Sequence, residues 1–180
     1  MKLGGKSVST AHAVAIVGIC AATLECGKLA LAAIPNFEVV TLLCALYAYS
    51  FGWLGVLATV VFVCIEPIIY GFGSWIITYF IYWPLVAIIF MLLRRARIKN
   101  RWILTAVAVG MTFLFGVISA LVDVGLFSGS YDNFLYRFAI YYARGIIFYA
   151  VEIGCNALLF PLLFNFLSDK LIIIRRKIIK

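Results

Sequence analysis

The sequence predicts an all-α membrane protein: a six-transmembrane-helix bundle with both termini cytoplasmic, built as one integral membrane domain over residues 1–180. Three observations predict it. The chain is 66% apolar and only 12% charged, against roughly 45–50% and about 25% in ordinary soluble domains. Its apolar residues gather into six runs long enough to cross or nearly cross a bilayer. Its basic residues gather into three clusters that six crossings place on one side.

The runs cover about 11–34, 37–51, 53–70, 74–93, 102–124 and 139–166. A spanning helix needs about 20 apolar residues, and short or tilted ones manage with a different length. The first run is long enough to span and has no clear cleavage context, so it does not read as a signal peptide. The second and third are short and meet at "SFGW", a turn without charge. The loop "RRARIKNR" divides the fourth from the fifth, and "LFSGSYDNFLYRF" (126–138) reads as an aromatic-rich loop or surface helix before the sixth.

Orientation follows the basic residues. Lys2 and Lys6 precede the first run. Arg94, Arg95, Arg97, Lys99 and Arg101 fill the loop after the fourth, and Lys170, Arg175, Arg176, Lys177 and Lys180 form the tail. These are twelve of the fifteen basic residues, so their shared side is expected to be cytoplasmic. Topology and contact with anionic lipid account for the net charge of +8 without a nucleic-acid partner. The five cysteines, Cys20, Cys26, Cys44, Cys64 and Cys155, lie in apolar runs without metal-ligand spacing and read as small packing residues.

The opposite side carries Glu38, Glu66, Asp123 and Asp132 at or near span ends, with Trp75, Tyr79, Tyr131, Phe134, Tyr136 and Tyr141. An aromatic belt at the headgroups explains some of these rings but not the acids. Deeper in the spans lie Glu25 and Lys28 on the first helix and Glu152 on the sixth, with Arg144 in the outer part of the sixth. An ionisable group at that depth costs about 2.5–3.5 kcal/mol on insertion scales, so it is expected to face protein or a polar cavity. On a helix of 3.6 residues per turn, Arg137, Tyr141, Arg144, Phe148, Glu152, Cys155 and Asn156 share one face. Lys28 is a candidate partner for Glu152, or for Glu25 one turn away on its own helix. Two readings follow: an ion-pair network that locks helices together, or an outward-facing polar cavity for a small solute. The aromatic residues near the same mouth favour the cavity. A flat ring can stack on Trp75 or Tyr79 while charged groups hold its edge. Tyr82 continues that face, and Pro84 is placed to kink the helix behind it.

In its cytoplasmic half the first helix repeats small residues, Ala11, Ala15, Gly18 and Ala22, on one face where another helix can approach closely. That helix is either internal or a partner's.

Size, six spans, both ends inside and the AxxxA face at Ala11 and Ala15 resemble the substrate-binding S components of bacterial energy-coupling factor (ECF) vitamin importers. The stretches "IPNFEVVTLL" and "EPIIYGFGSW" followed by "YFIYWPL" look like a subgroup of that family, and the resemblance covers nearly the whole chain. It implies a multi-pass protein of the bacterial plasma membrane. It implies a vitamin-like ligand bound near the outer surface, between the later helices and the loops "PNFE", "EPIIYGFGS" and "LFSGSYDNF". It implies a coupling transmembrane subunit that docks on Ala11, Ala15, Gly18 and Ala22, with two ATP-binding subunits that hold the ATP and magnesium. The toppling of the chain in the membrane would release the ligand inside. This chain has no Walker A pattern and is expected to carry no cofactor and no catalytic activity of its own. Arg144, Tyr141, Glu152, Asn156, Trp75, Tyr79, Glu66, Glu38, Asp123 and Lys28 are the expected ligand-binding set. Pyridoxine-like compounds, pyrimidine precursors of thiamine, queuine-like bases and cobalamin or its benzimidazole base all suit such a mixed site.

Other classes fit less well. A serine or zinc protease needs histidine at the chemistry, and the single histidine, His12, sits at the cytoplasmic edge. Glu66 and Asp123 could act as a carboxylate acid–base pair. A self-contained transporter often shows internal repeats, and the sequence has none. A structural membrane scaffold is the remaining class.

Overall fold

The computed structural model describes residues 2–3, 6–34, 37–129 and 131–178. Lys2–Leu3 pairs antiparallel with Lys6–Ser7, and from Thr10 onward the described residues are helix or short connection. Five helical stretches are long and apolar enough to cross a membrane, which makes a multi-pass membrane protein.

Helix α1 spans Thr10–Leu31, and the Ser9 hydroxyl caps it by accepting from the His12 amide at 3.3 Å. Helix α2, Val40–Phe51, starts three residues later than the sequence suggests. Residues 37–39 stay outside the helix, and the Glu38 carboxylate accepts from the Thr41 amide at 2.5 Å, satisfying one orphan donor of the first turn. At 12 residues α2 is only about 18 Å long. It is buried at 11 of its 12 positions, so it runs through the middle of the bundle with other helices around it.

Gly52 turns the chain into α3, Trp53–Tyr70, at φ 62° and ψ −130°, a conformation only glycine adopts cheaply. Gly55 then lets the two helices close up: a Cβ there would lie 2.3 Å from the Tyr47 carbonyl. Helix α4 spans Trp75–Arg95 and continues through Pro84. Arg97 follows it at φ 60°, the left-handed position where glycine usually ends a helix. The Asn100 side chain accepts from the Trp102 amide at 2.9 Å and starts α5, Arg101–Phe127.

The last helix differs most from expectation. Helix α6 starts at Phe134, not 139, and ends at Leu159. A π-helical turn, Phe160–Phe164, carries the chain into α7, Asn165–Ile178. Pro161 lacks the N–H that an α-helical turn needs, and the wider turn absorbs that loss without breaking the helix. The whole stretch is 45 residues, about 68 Å long, more than one bilayer crossing requires.

The two ends of the bundle separate chemically. At one end lie the α4–α5 loop, the end of α2 and α7. There Arg175 donates to the Ser50 carbonyl at 2.8 Å, the Tyr49 hydroxyl donates to the Ile98 carbonyl at 2.8 Å, and Asn165 donates to the Lys99 carbonyl at 3.2 Å. Just inside, Phe90, Phe160 and Phe164 pack with centroids 5.2–5.5 Å apart, each about 1% exposed or less. At the other end the helices enclose space.

Candidate functional site

A cavity of about 310 Å³ lies at the end away from the basic loop. That volume is at the small end for ligand pockets, which run from about 300 to 1,000 Å³. Every helix from α1 to α6 contributes to its wall. The end of α1 brings Lys28 and Leu31, and the α1–α2 connection brings Phe37 and Glu38. Phe62 comes from α3, Tyr79, Tyr82 and Trp83 from α4, Phe115 from α5 and Glu152 from α6. Exposed Ala32 and Ile34 stand at its rim.

The rings form a continuous surface. Trp75 meets Tyr79 edge-on at 5.0 Å, Tyr79 meets Trp83 at 5.6 Å, and Tyr82 meets Phe115 at 4.9 Å. Edge-to-face pairs at such distances hold one another in place, which fixes the ring faces that line the cavity.

The charges divide into spent and unspent. Lys28 forms an ion pair with Glu66, which is fully buried on α3. Its ammonium also lies 4.2 Å from the Tyr70 ring centre and 5.4 Å from that of Tyr79. The pairing with Glu66 replaces the suggested pairings with Glu152 and Glu25. The reason is packing: α1 lies along α3, which brings Lys28 to Glu66, whereas α6 lies along α5. Glu38 accepts from the Thr41 amide and from Asn156 Nδ2 at 3.3 Å, and the same Asn156 amide donates to Thr112 at 3.0 Å. Glu152 lines the cavity with no hydrogen bond or ion pair among the described residues. Glu25 is buried with both oxygens unpartnered, outside the cavity wall. Among the described residues no group of three or more His, Cys, Asp or Glu side chains is placed to hold a metal.

The sequence-predicted set therefore splits. Lys28, Glu38, Tyr79 and Glu152 line the cavity. Glu66, Asn156 and Trp75 sit directly behind lining residues. Asp123 and Tyr141 form a separate bridge: the Ser74 hydroxyl donates to Asp123 at 2.5 Å and the Tyr141 hydroxyl at 2.6 Å, which ties α4, α5 and α6 together. Arg144 is exposed, does not line this cavity and has no hydrogen bond or ion pair among the described residues. The stripe from Arg137 to Asn156 is thus not one inward face, since Arg137, Arg144 and Phe148 are exposed. The side of α6 that meets α5 runs through Tyr142 and Tyr149 as well as through Tyr141 and Asn156 of the stripe. Gly116 sets this phase, because a Cβ there would lie 2.7 Å from Tyr149 and 2.8 Å from Tyr142.

Phe62, Trp83 and Phe115 are lining rings that escaped the sequence reading. Trp83 follows Trp75 and Tyr79 at steps of four, so its helical face was readable. Phe115 sits in an apolar run with no distinguishing signal. Along α1, Ala11, Ala15, Gly18 and Ala22 are all exposed, and a Cβ on Gly18 would meet nothing within 4 Å. No other part of the described chain covers this small-residue face.

No protein-family model matches the chain, and no characterised protein or solved structure matches it either.

Proposed function

We propose that this chain is the ligand-capturing subunit of an ECF-type importer in a bacterial plasma membrane. The observation that carries the reading is the aromatic-walled cavity with charged groups in its wall, at the end of the bundle opposite the basic loop. In this reading α1 to α5 and the long α6–α7 helix make six crossings, with the short α2 reaching across inside the bundle. Both termini and the loop Arg94–Arg101 face the cytoplasm by the positive-inside rule, so the cavity faces outward. A vitamin-like molecule with a flat heteroaromatic part enters between the α1–α2 connection and α4. The exposed Ala11, Ala15, Gly18 and Ala22 offer a coupling transmembrane subunit a surface for close helix approach. Two ATP-binding subunits supply the energy, and this chain carries out no chemistry.

Purified chain in lipid nanodiscs, titrated with a vitamin panel, tests the capture step. One compound is expected to bind saturably without any ATPase. Uptake into vesicles is expected only when a coupling subunit and two ATPases are present; uptake by the chain alone would make it a self-contained transporter. Ala11→Trp together with Ala15→Trp is expected to abolish coupled uptake and leave binding unchanged. Intact uptake in that variant would sink the docking face.

A further inference from the structure

We infer, on the reading of the cavity as a ligand site, that the ligand carries a positive charge on or beside its flat ring and that Glu152 is its counter-ion. Three observations converge on this. Among the described residues the charged groups in the cavity wall are Lys28, Glu38 and Glu152. Lys28 is matched by Glu66, and Glu38 is held by the Thr41 amide and Asn156. Only Glu152 faces the cavity without a partner. A carboxylate at membrane depth calls for a partner, and no described residue supplies one to Glu152, which unlike Glu25 opens on the cavity.

The rings agree with the charge. Tyr79, Tyr82, Trp83 and Phe115 present π faces and edges to the same space, and a π face attracts a cation. The wall already shows this preference, because the Lys28 ammonium sits over the rings of Tyr70 and Tyr79. An anionic ligand would need a free cation: Lys28 is engaged, and Arg144 lies outside the cavity. A neutral ligand could at most donate a hydrogen bond to Glu152 and would leave its charge uncompensated. A flat cation satisfies the carboxylate and the rings together.

Matched pairs of permanent cations and their neutral parents test the inference: 1-methylnicotinamide with nicotinamide, and 1,3-dimethylbenzimidazolium with benzimidazole. Each is titrated by calorimetry into the whole chain in nanodiscs, as wild type, Glu152→Gln and Glu152→Asp. The charged member of each pair is expected to bind at least about tenfold more tightly to wild type. That preference is expected to fall to within about twofold in Glu152→Gln and to return largely in Glu152→Asp, which keeps the charge. If the glutamine variant fails to fold, Glu152→Ser serves as the neutral variant with the same expected loss of preference. Saturable binding of neutral and charged members alike would overturn the charge assignment and leave the cavity as a ligand site. A preference that survives Glu152→Gln would overturn Glu152 as counter-ion. Binding by no member would overturn the inference together with the site reading beneath it.

Discussion

The two ends of this bundle use aromatic residues for opposite purposes. Near the basic end, Phe90, Phe160 and Phe164 fill the space between α4 and the last helix, and Tyr49 closes on Phe164 at 5.2 Å. Near the other end, Tyr79, Tyr82, Trp83 and Phe115 stand around space that they do not fill. The polar groups follow the same division. At the filled end side chains donate to backbone carbonyls, as Arg175 does to Ser50 and Tyr49 to Ile98. At the hollow end carboxylates outnumber their partners. One end is built to hold the helices, and the other to hold something else.

Substitutions can break or sharpen this contrast. The largest effect is expected at the filled end. Phe164→Ala removes a ring that is 1% exposed and should cost about 3–5 kcal/mol, because lost packing contacts are not replaced in a close-packed interior. A steep drop in thermal unfolding temperature should show it, while the folded fraction keeps its ligand affinity. Phe115→Ala at the half-buried cavity wall should do the reverse, with a small loss of stability and a large loss of binding. Equal stability losses at the two sites would erase the contrast.

Asn156→Ala comes next. It strips a donor from both Glu38 and Thr112, which stitch the α1–α2 connection, α5 and α6 together. Leaving such groups unpaired should cost about 1–3 kcal/mol in thermal unfolding, with weaker binding because Glu38 is less firmly placed. Smaller still is Arg97→Gly. It relieves a left-handed residue at the end of α4 and should stabilise by about 1 kcal/mol. Orientation, read by cysteine labelling from each side, should not change, since Arg94, Arg95, Lys99 and Arg101 remain.

The smallest effect is expected from Arg144→Ala, with ligand affinity within about twofold of wild type by calorimetry, because the side chain lies outside the cavity wall and has no partner among the described residues. The sequence instead places Arg144 in the expected ligand-binding set.

That reversal shows where the sequence stopped being legible. Long apolar runs, charged breaks and the Gly52 turn placed the first five helices to within a few residues, because these signals are local. Lys28, Glu38, Tyr79 and Glu152 were found because buried charge and aromatic spacing are unusual in an apolar chain. The phase of α6 was not local. Its inward side is chosen by Gly116 on α5, which admits Tyr149 and Tyr142, and nothing within α6 announces that choice. The partner of Lys28 was hidden in the same way, because it depends on α1 lying along α3. The sixth run already carried the helix through Pro161, but its continuation to Ile178 was missed because the charged residues of the tail end the apolar run.

The most direct measurement is calorimetric titration of a vitamin panel into the chain in nanodiscs, for wild type and for Ala32→Trp. Ala32 is exposed at the cavity rim, so an indole there fills the mouth without disturbing the core. Saturable binding of one flat compound to wild type, lost in Ala32→Trp at an unchanged unfolding temperature, is the predicted result. Undiminished binding in Ala32→Trp, or none to wild type across the panel, would contradict the claim that the hollow end is a ligand site.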